Sequence, residues 1–125
     1  MASEVVDTLE PTPRAPARAR ELVRTLEAED SVRRTVELIV SELVTNSVVH
    51  TDGEPADVLR VRLRCKESGV EGEVCDRGGG FEWEAHAPDL GEPGGLGLML
   101  VDQLAADWGV RSNGCTCVWF ECAEA

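Results

Sequence analysis

The sequence is short of basic charge: 12 Lys and Arg stand against 24 Asp and Glu, a formal net charge of -12 over 125 residues. A surface this acidic repels phosphates, which argues against electrostatic capture of nucleic acid or an anionic membrane and leaves small ligands and proteins as partners. No run approaches the roughly 20 apolar residues that cross a bilayer. The first residues, with Glu4 and Asp7, lack the basic-then-apolar order of a secretory signal, so a cytoplasmic location is expected. Internal repeats and low-complexity tracts are also missing. Cys65, Cys75, Cys115, Cys117 and Cys122 make an odd set, which argues against a closed disulfide framework and leads us to expect reduced thiols. Cys115-x-Cys117 has no second C-x-C or C-x-x-C to complete four zinc ligands, so plain strand residues are the better reading.

The length suits a single domain over residues 1–125, and 42% hydrophobic with 29% charged residues is an ordinary globular composition. A short strand is predicted over Glu4 to Leu9, followed by a turn at Pro11, Pro13 and Pro16. Ala19, Leu22, Val23 and Leu26 then recur at helical spacing, with Arg18, Arg20 and Arg24 largely on other faces. Asp30 or Ser31 can cap a second helix, with an apolar stripe of Val32, Val36, Ile39, Val40, Leu43 and Val44 up to His50, ended by Thr51, Asp52 and Gly53.

From Val58 the period becomes two. Leu59, Val61, Leu63 and Cys65 alternate with Arg60, Arg62, Arg64 and Lys66, and after a Ser68-Gly69 turn Val70, Gly72 and Val74 alternate with Glu71 and Glu73. These read as a hairpin with acids set opposite arginines. Phe81 to Gly94 shows no sustained period and reads as a long loop, of the kind that is usually functional or disordered. A third helix is expected over Gly97 to Ala106, a strand near Trp108 to Arg111, an Asn113-Gly114 turn, and a last strand from Cys115 to Cys122. There Val118 and Phe120 should face the helices, while Cys115, Cys117, Trp119 and Glu121 face outward. The order suits an α+β fold, a two-layer sandwich whose mixed or mostly antiparallel sheet carries three helices on one face.

Three segments carry chemistry. Glu42, Asn46 and His50 recur every four residues and share one helical stripe, drifting about 40° per step. A carboxylate and a carboxamide beside an apolar face need partners, and a bound metal with phosphates can supply them, Asn46 offering a neutral oxygen to Mg²⁺. Read alone, the pattern better suits the polar edge of an amphipathic helix. Asp76-Arg77-Gly78-Gly79-Gly80 follows a strand, where a carboxylate can accept a hydrogen bond from an exocyclic amine and glycines admit a flat ring. Gly94-Gly95-Leu96-Gly97 opens a helix, where free backbone N–H groups and the helix dipole favour phosphate.

In this order the three segments resemble the N, G1 and G2 boxes of the GHKL ATPase superfamily, the Bergerat fold, with the N box running from Glu42 to His50. The short chain is most similar to the stand-alone anti-sigma-factor serine/threonine kinases of bacteria, the SpoIIAB- and RsbW-like branch, and in particular to actinobacterial members with E-L-V-T-N-x-x-x-H. The resemblance implies ATP and Mg²⁺ as cofactors, Asn46 as Mg²⁺ ligand, Glu42 as general base and Asp76 as partner of the adenine amino group. It further implies that Gly78 and Gly80 shape the adenine wall, that Gly95, Leu96 and Gly97 hold the phosphates, and that residues 81–94 form the ATP lid. His50 has either a nucleotide-side role or a contact at the end of the helix.

The implied partners are an anti-anti-sigma protein of the STAS type and a sigma factor, in a homodimer formed through the open face of the sheet around Trp119. In one respect the pattern differs. Many relatives carry an Arg just before the Gly-Leu-Gly of the lid, whereas this chain has Glu92-Pro93-Gly94-Gly95. Loss of a lid cation would slow phosphoryl transfer without abolishing binding. A module that senses ATP or ADP and sequesters a partner is therefore the alternative to a kinase.

Overall fold

The computed structural model describes residues 3–50, 58–76, 95–112 and 115–123, apart from the side chains of 49, 50, 95–98 and 112. The elements are β1 (Glu4–Leu9), α1 (Ala15–Arg24), α2 (Asp30–His50), β2 (Leu59–Lys66), β3 (Gly69–Asp76), α3 (Gly95–Leu104), β4 (Asp107–Ser112) and β5 (Thr116–Ala123). The five strands form one sheet in the order β1-β2-β3-β5-β4, with every neighbouring pair antiparallel.

The alternation of side chains decides which face is wet. In β2, Leu59, Val61 and Leu63 are fully buried while Arg60, Arg62 and Arg64 between them are exposed. The register places Val61 against Val74 and Leu63 against Gly72, and β5 adds Val118 and Phe120 to the same face. Onto this face α2 brings Val36, Ile39, Val40, Leu43 and Val44, and α1 brings Ala19, Leu22 and Val23, all in one buried cluster. Each large side chain of this cluster contributes about 2 kcal/mol of transfer free energy.

α1 enters through Pro16 in its first turn and stops at Thr25, whose hydroxyl donates to the Leu22 carbonyl at 2.7 Å. Two of its off-face arginines fasten it to α2. Arg20 Nη1 donates to Ser41 Oγ at 2.9 Å, and Arg24 pairs with Glu37 at 2.9 Å.

The open face bears the expected cross-strand charges. Arg60 reaches Glu73 at 3.4 Å, Arg64 reaches Glu71 at 3.5 Å, and Lys66 lies between Glu71 at 3.1 Å and Glu121 at 3.5 Å. Arg62, opposite Glu73 in register, turns instead to Glu4 on β1 at 3.7 Å. These pairs set register more than stability, because solvent screens them.

Boundaries moved in two helices: Leu26, read as part of the first, lies beyond the end of α1 at Arg24. α3 begins at Gly95, not Gly97, because a first turn makes no use of its N–H groups within the helix and so tolerates glycine. It ends at Leu104 rather than Ala106: the Ala106 N–H donates to the Glu121 carbonyl at 2.7 Å and joins the sheet. The expected turns at residues 51–53 and 113–114, and the loop 81–94, lie outside the described residues.

Gly69, where β3 begins, holds φ at +145°, and a Cβ built there would lie 1.9 Å from the Cys122 carbonyl oxygen. Backbone on backbone leaves no room to yield. We expect Gly69→Ala to cost about 3 kcal/mol, read as a lowered urea midpoint at unchanged slope.

Candidate functional site

Helical periodicity takes the Glu42 stripe down into the core as α2 proceeds. Glu42 is partly buried, Asn46 is only 4% exposed, and Ser47 beside it is wholly buried. Leu43 and Val44 on the same turn are fully buried, so the helix seats these polar groups among apolar ones. Asp76 is the last residue of β3 and shares the helix-facing side with Val70, Gly72 and Val74. Its side chain is 3% exposed, and its register neighbours are Leu59 and Thr116. α2 packs on β3, β5 and α3, so the helix bearing the first motif adjoins the elements that bear the other two.

Among the described residues, Asn46, Ser47 and Asp76 are the only buried side chains with polar or charged groups. Burying such groups costs free energy unless something answers them. An interior that is otherwise apolar therefore concentrates its polar cost in the two segments whose sequence pattern pointed to metal and purine binding. Ser47 Oγ has no hydrogen-bond partner among the described residues. A buried orphan hydroxyl beside a carboxamide fits a ligand that brings its own polar atoms. Ser47 was not legible from sequence: it falls on the apolar side of the stripe, where a serine reads as a small helix residue.

The donor set suits ATP with Mg²⁺. A carboxamide such as that of Asn46 has the neutral carbonyl oxygen that a hard cation can take, and a carboxylate such as that of Asp76 can accept from an exocyclic amine. Gly95, Leu96 and Gly97 form the first turn of α3, which leaves their backbone N–H groups without intrahelical partners and at the positive end of the helix dipole. That earlier start puts all three inside the turn. Gly78, Gly80, the lid and the side chain of His50 lie outside the described residues. A shallow cavity of about 430 Å³ opens on the other face of the sheet, between Arg62, Arg64, Glu73, Arg111 and Trp119. Arg62, Arg64 and Glu73 among its walls carry the ion pairs described above, remote from Asn46 and Asp76 in the layering.

The outer face brings one correction. Trp119 faces outward as expected and is partly buried there, lying across Gly109, where a Cβ would come within 2.8 Å of the indole, and beneath the Arg111 guanidinium at 5.4 Å. The five cysteines were expected to be reduced, yet Cys75 and Cys117 form a disulfide. The β3–β5 register sets them directly opposite on one face with Cα atoms 4.0 Å apart, a proximity that 42 residues of separation conceal in the sequence. Cys65, Cys115 and Cys122 stand outside the disulfide, and burial pushes the Cys122 thiol up to about 11. No helix among the described residues is long and apolar enough to cross a membrane.

A family of histidine kinase-like ATPase domains matches residues 5–122. The serine-protein kinase RsbW of Bacillus pumilus (strain SAFR-032) is 34% identical over 93 residues, which is 62% of this chain and 57% of that protein. The crystal structure of the RsbU and RsbW domains of Rv1364c from Mycobacterium tuberculosis superposes with a TM-score of 0.69 over 99% of this chain and 34% of that one, at 19% identity. The chain thus spans little more than half the length of the curated relative, and the likeness to the solved structure is one of fold.

Proposed function

The chain belongs to the family of histidine kinase-like ATPase domains, and we propose that it binds ATP with Mg²⁺ and phosphorylates a serine or threonine of an anti-anti-sigma protein of the STAS type. The observation that carries this reading is the burial of Asn46, Ser47 and Asp76 as the polar exceptions to an apolar interior among the described residues. The similarity to a serine-protein kinase supplies the reaction class.

Asp76 would accept the adenine amino N–H, with Gly78 and Gly80 shaping the adenine wall. Asn46 would hold Mg²⁺ through its side-chain oxygen, with Ser47 as a further polar contact. The first turn of α3 at Gly95, Leu96 and Gly97 would donate backbone N–H groups to phosphate oxygens. Glu42, one turn before Asn46 and still partly open to solvent, would take the proton from the acceptor hydroxyl. Bound Mg²⁺ supplies charge neutralisation to the phosphates. The protein would act in the cytoplasm and bind a sigma factor as well as its STAS partner.

One observation favours a second reading. Glu92-Pro93-Gly94-Gly95 supplies no cation beside the phosphate turn, which suits a module that senses ATP or ADP and sequesters a partner without chemistry. Incubation with γ-labelled Mg-ATP and STAS-domain proteins encoded nearby separates the two. Transfer to a partner serine or threonine is expected, whereas tight ATP binding with no transfer to any candidate favours the module.

A homodimer through the open sheet face belongs to the same reading. Since Arg111 and Gly109 already cover much of Trp119, its contribution rests on the remaining exposed edge. Trp119→Glu is expected to lower the solution mass to that of the monomer in light scattering, and an unchanged mass rejects that interface.

A further inference from the structure

The disulfide is placed where it touches function. Cys75 immediately precedes Asp76 on β3, and its partner Cys117 immediately follows Thr116, the residue paired with Asp76 across the sheet. The bond therefore clamps the end of the strand pair that presents the Asp76 carboxylate on the opposite face. Unbridged antiparallel neighbours have Cα atoms about 4.5 to 5.5 Å apart; here the separation is 4.0 Å. Opening the bridge releases this end of the strand pair from its covalent tie, beneath a buried carboxylate whose hydrogen bonding depends on its position.

The same face holds a third sulfur. Cys115 Sγ lies 3.9 Å from Cys117 Sγ and is partly open to solvent, whereas Cys75 is 2% and Cys117 is 9% exposed. The two remaining cysteines are on the helix-facing side, Cys65 in register with Val70 and Cys122 buried and held protonated by its apolar surroundings. Only Cys115 is both near the bridge and accessible.

We propose that Cys75, Cys115 and Cys117 form a reversible thiol–disulfide site whose state sets the affinity of the nucleotide site at Asp76. The Cys115 thiolate attacks Cys117 Sγ; the bond to Cys75 breaks, and Cys75 leaves as a thiolate and takes up a proton. No electrons are gained or lost in that exchange, which moves the bridge from a buried pair to one that solvent reaches. A dithiol reductant then opens the Cys115–Cys117 bond, giving up two electrons and two protons and departing as its own cyclic disulfide. In the other direction, a low-molecular-weight disulfide takes the two electrons and leaves as two thiols, closing the Cys75–Cys117 bridge. The closed bridge preorganises Asp76, so the oxidised protein is the tighter binder. The nucleotide readout rests on the function proposed above.

The experiment uses the full chain, oxidised with a low-molecular-weight disulfide or reduced with a dithiol. Bridges are mapped by alkylation and mass spectrometry, and ATP affinity is measured by calorimetry. A Cys75–Cys117 bridge is expected in the oxidised protein, which binds ATP about fivefold or more tightly than the reduced form. Cys75→Ser and Cys117→Val are each expected to bind equally in both conditions. Cys115→Ser is expected to keep the bridge but to slow its reduction at least about tenfold. Equal ATP affinities of the oxidised and reduced wild type overturn the inference alone, as does failure of the Cys75–Cys117 bridge to form. Absence of ATP binding in both forms overturns the proposed function as well. Unchanged reduction kinetics in Cys115→Ser removes Cys115 from the site.

Discussion

Asp76→Asn is expected to weaken ATP binding about a hundredfold while leaving the fold intact. A carboxylate presents only acceptors, and a buried charged acceptor contributes about 1.5 to 3 kcal/mol to a hydrogen bond. Asparagine replaces one of its oxygens by an amide that is itself a donor, so an adenine N–H facing that position meets a donor. The loss of about 3 kcal/mol corresponds to two decades in affinity. Asp76 is 3% exposed, so water cannot readily substitute for the missing acceptor. Calorimetric titration with ATP reads the effect, and guanine nucleotides serve as the control for a general loss of the pocket. Affinity within threefold of wild type would place adenine recognition elsewhere.

Glu42→Gln is expected to separate chemistry from binding. Removing a general base lowers the transfer rate by about two to four orders of magnitude, whereas the neutral isostere keeps the packing of α2. Glu42 is less buried than Asn46 one turn later, which suits a group that meets a partner's hydroxyl. Single-turnover transfer to a STAS-domain substrate should fall while ATP affinity changes by less than about threefold. A parallel fall in both would make Glu42 a binding residue and leave the base unidentified.

Much of this was legible in the sequence for identifiable reasons. β2 announced itself because four cationic residues alternate with Leu59, Val61, Leu63 and Cys65, a period only a strand can use with one wet face. β1 is short but bounded by Pro11, which marked its end. Asn46 was conspicuous as a polar residue on an apolar stripe. What escaped prediction depends on contacts between distant segments. The Cys75–Cys117 bridge requires β5 to lie beside β3, and β4, though nearer in sequence to β3, sits outside it. The cover over Trp119 needs Gly109 and Arg111 from that same outer strand. The start of α3 was misplaced by two residues because glycine is a poor helix former everywhere except in such a first turn, where its backbone donors are wanted elsewhere. Ser47 carried no signal at all, since a serine among valines is unremarkable until its hydroxyl is found sealed in.

The position of β5 has a consequence for how the chain acquires its structure. The helical pair α1–α2 and the β2–β3 hairpin join residues close in sequence and can form within microseconds of becoming available. The β3–β5 ladder joins Gly69 to Ala123 and Asp76 to Thr116, so its first contacts must close a loop of about forty residues before any apolar burial compensates the lost chain entropy. Until that strand docks, Val74 and Leu63 have no Phe120 to cover them, and the inner edge of β3 stands open to any other strand that passes. During synthesis this interval lasts at least until residue 123 has cleared the ribosome, and a cell making the protein quickly would find its aggregation risk concentrated there.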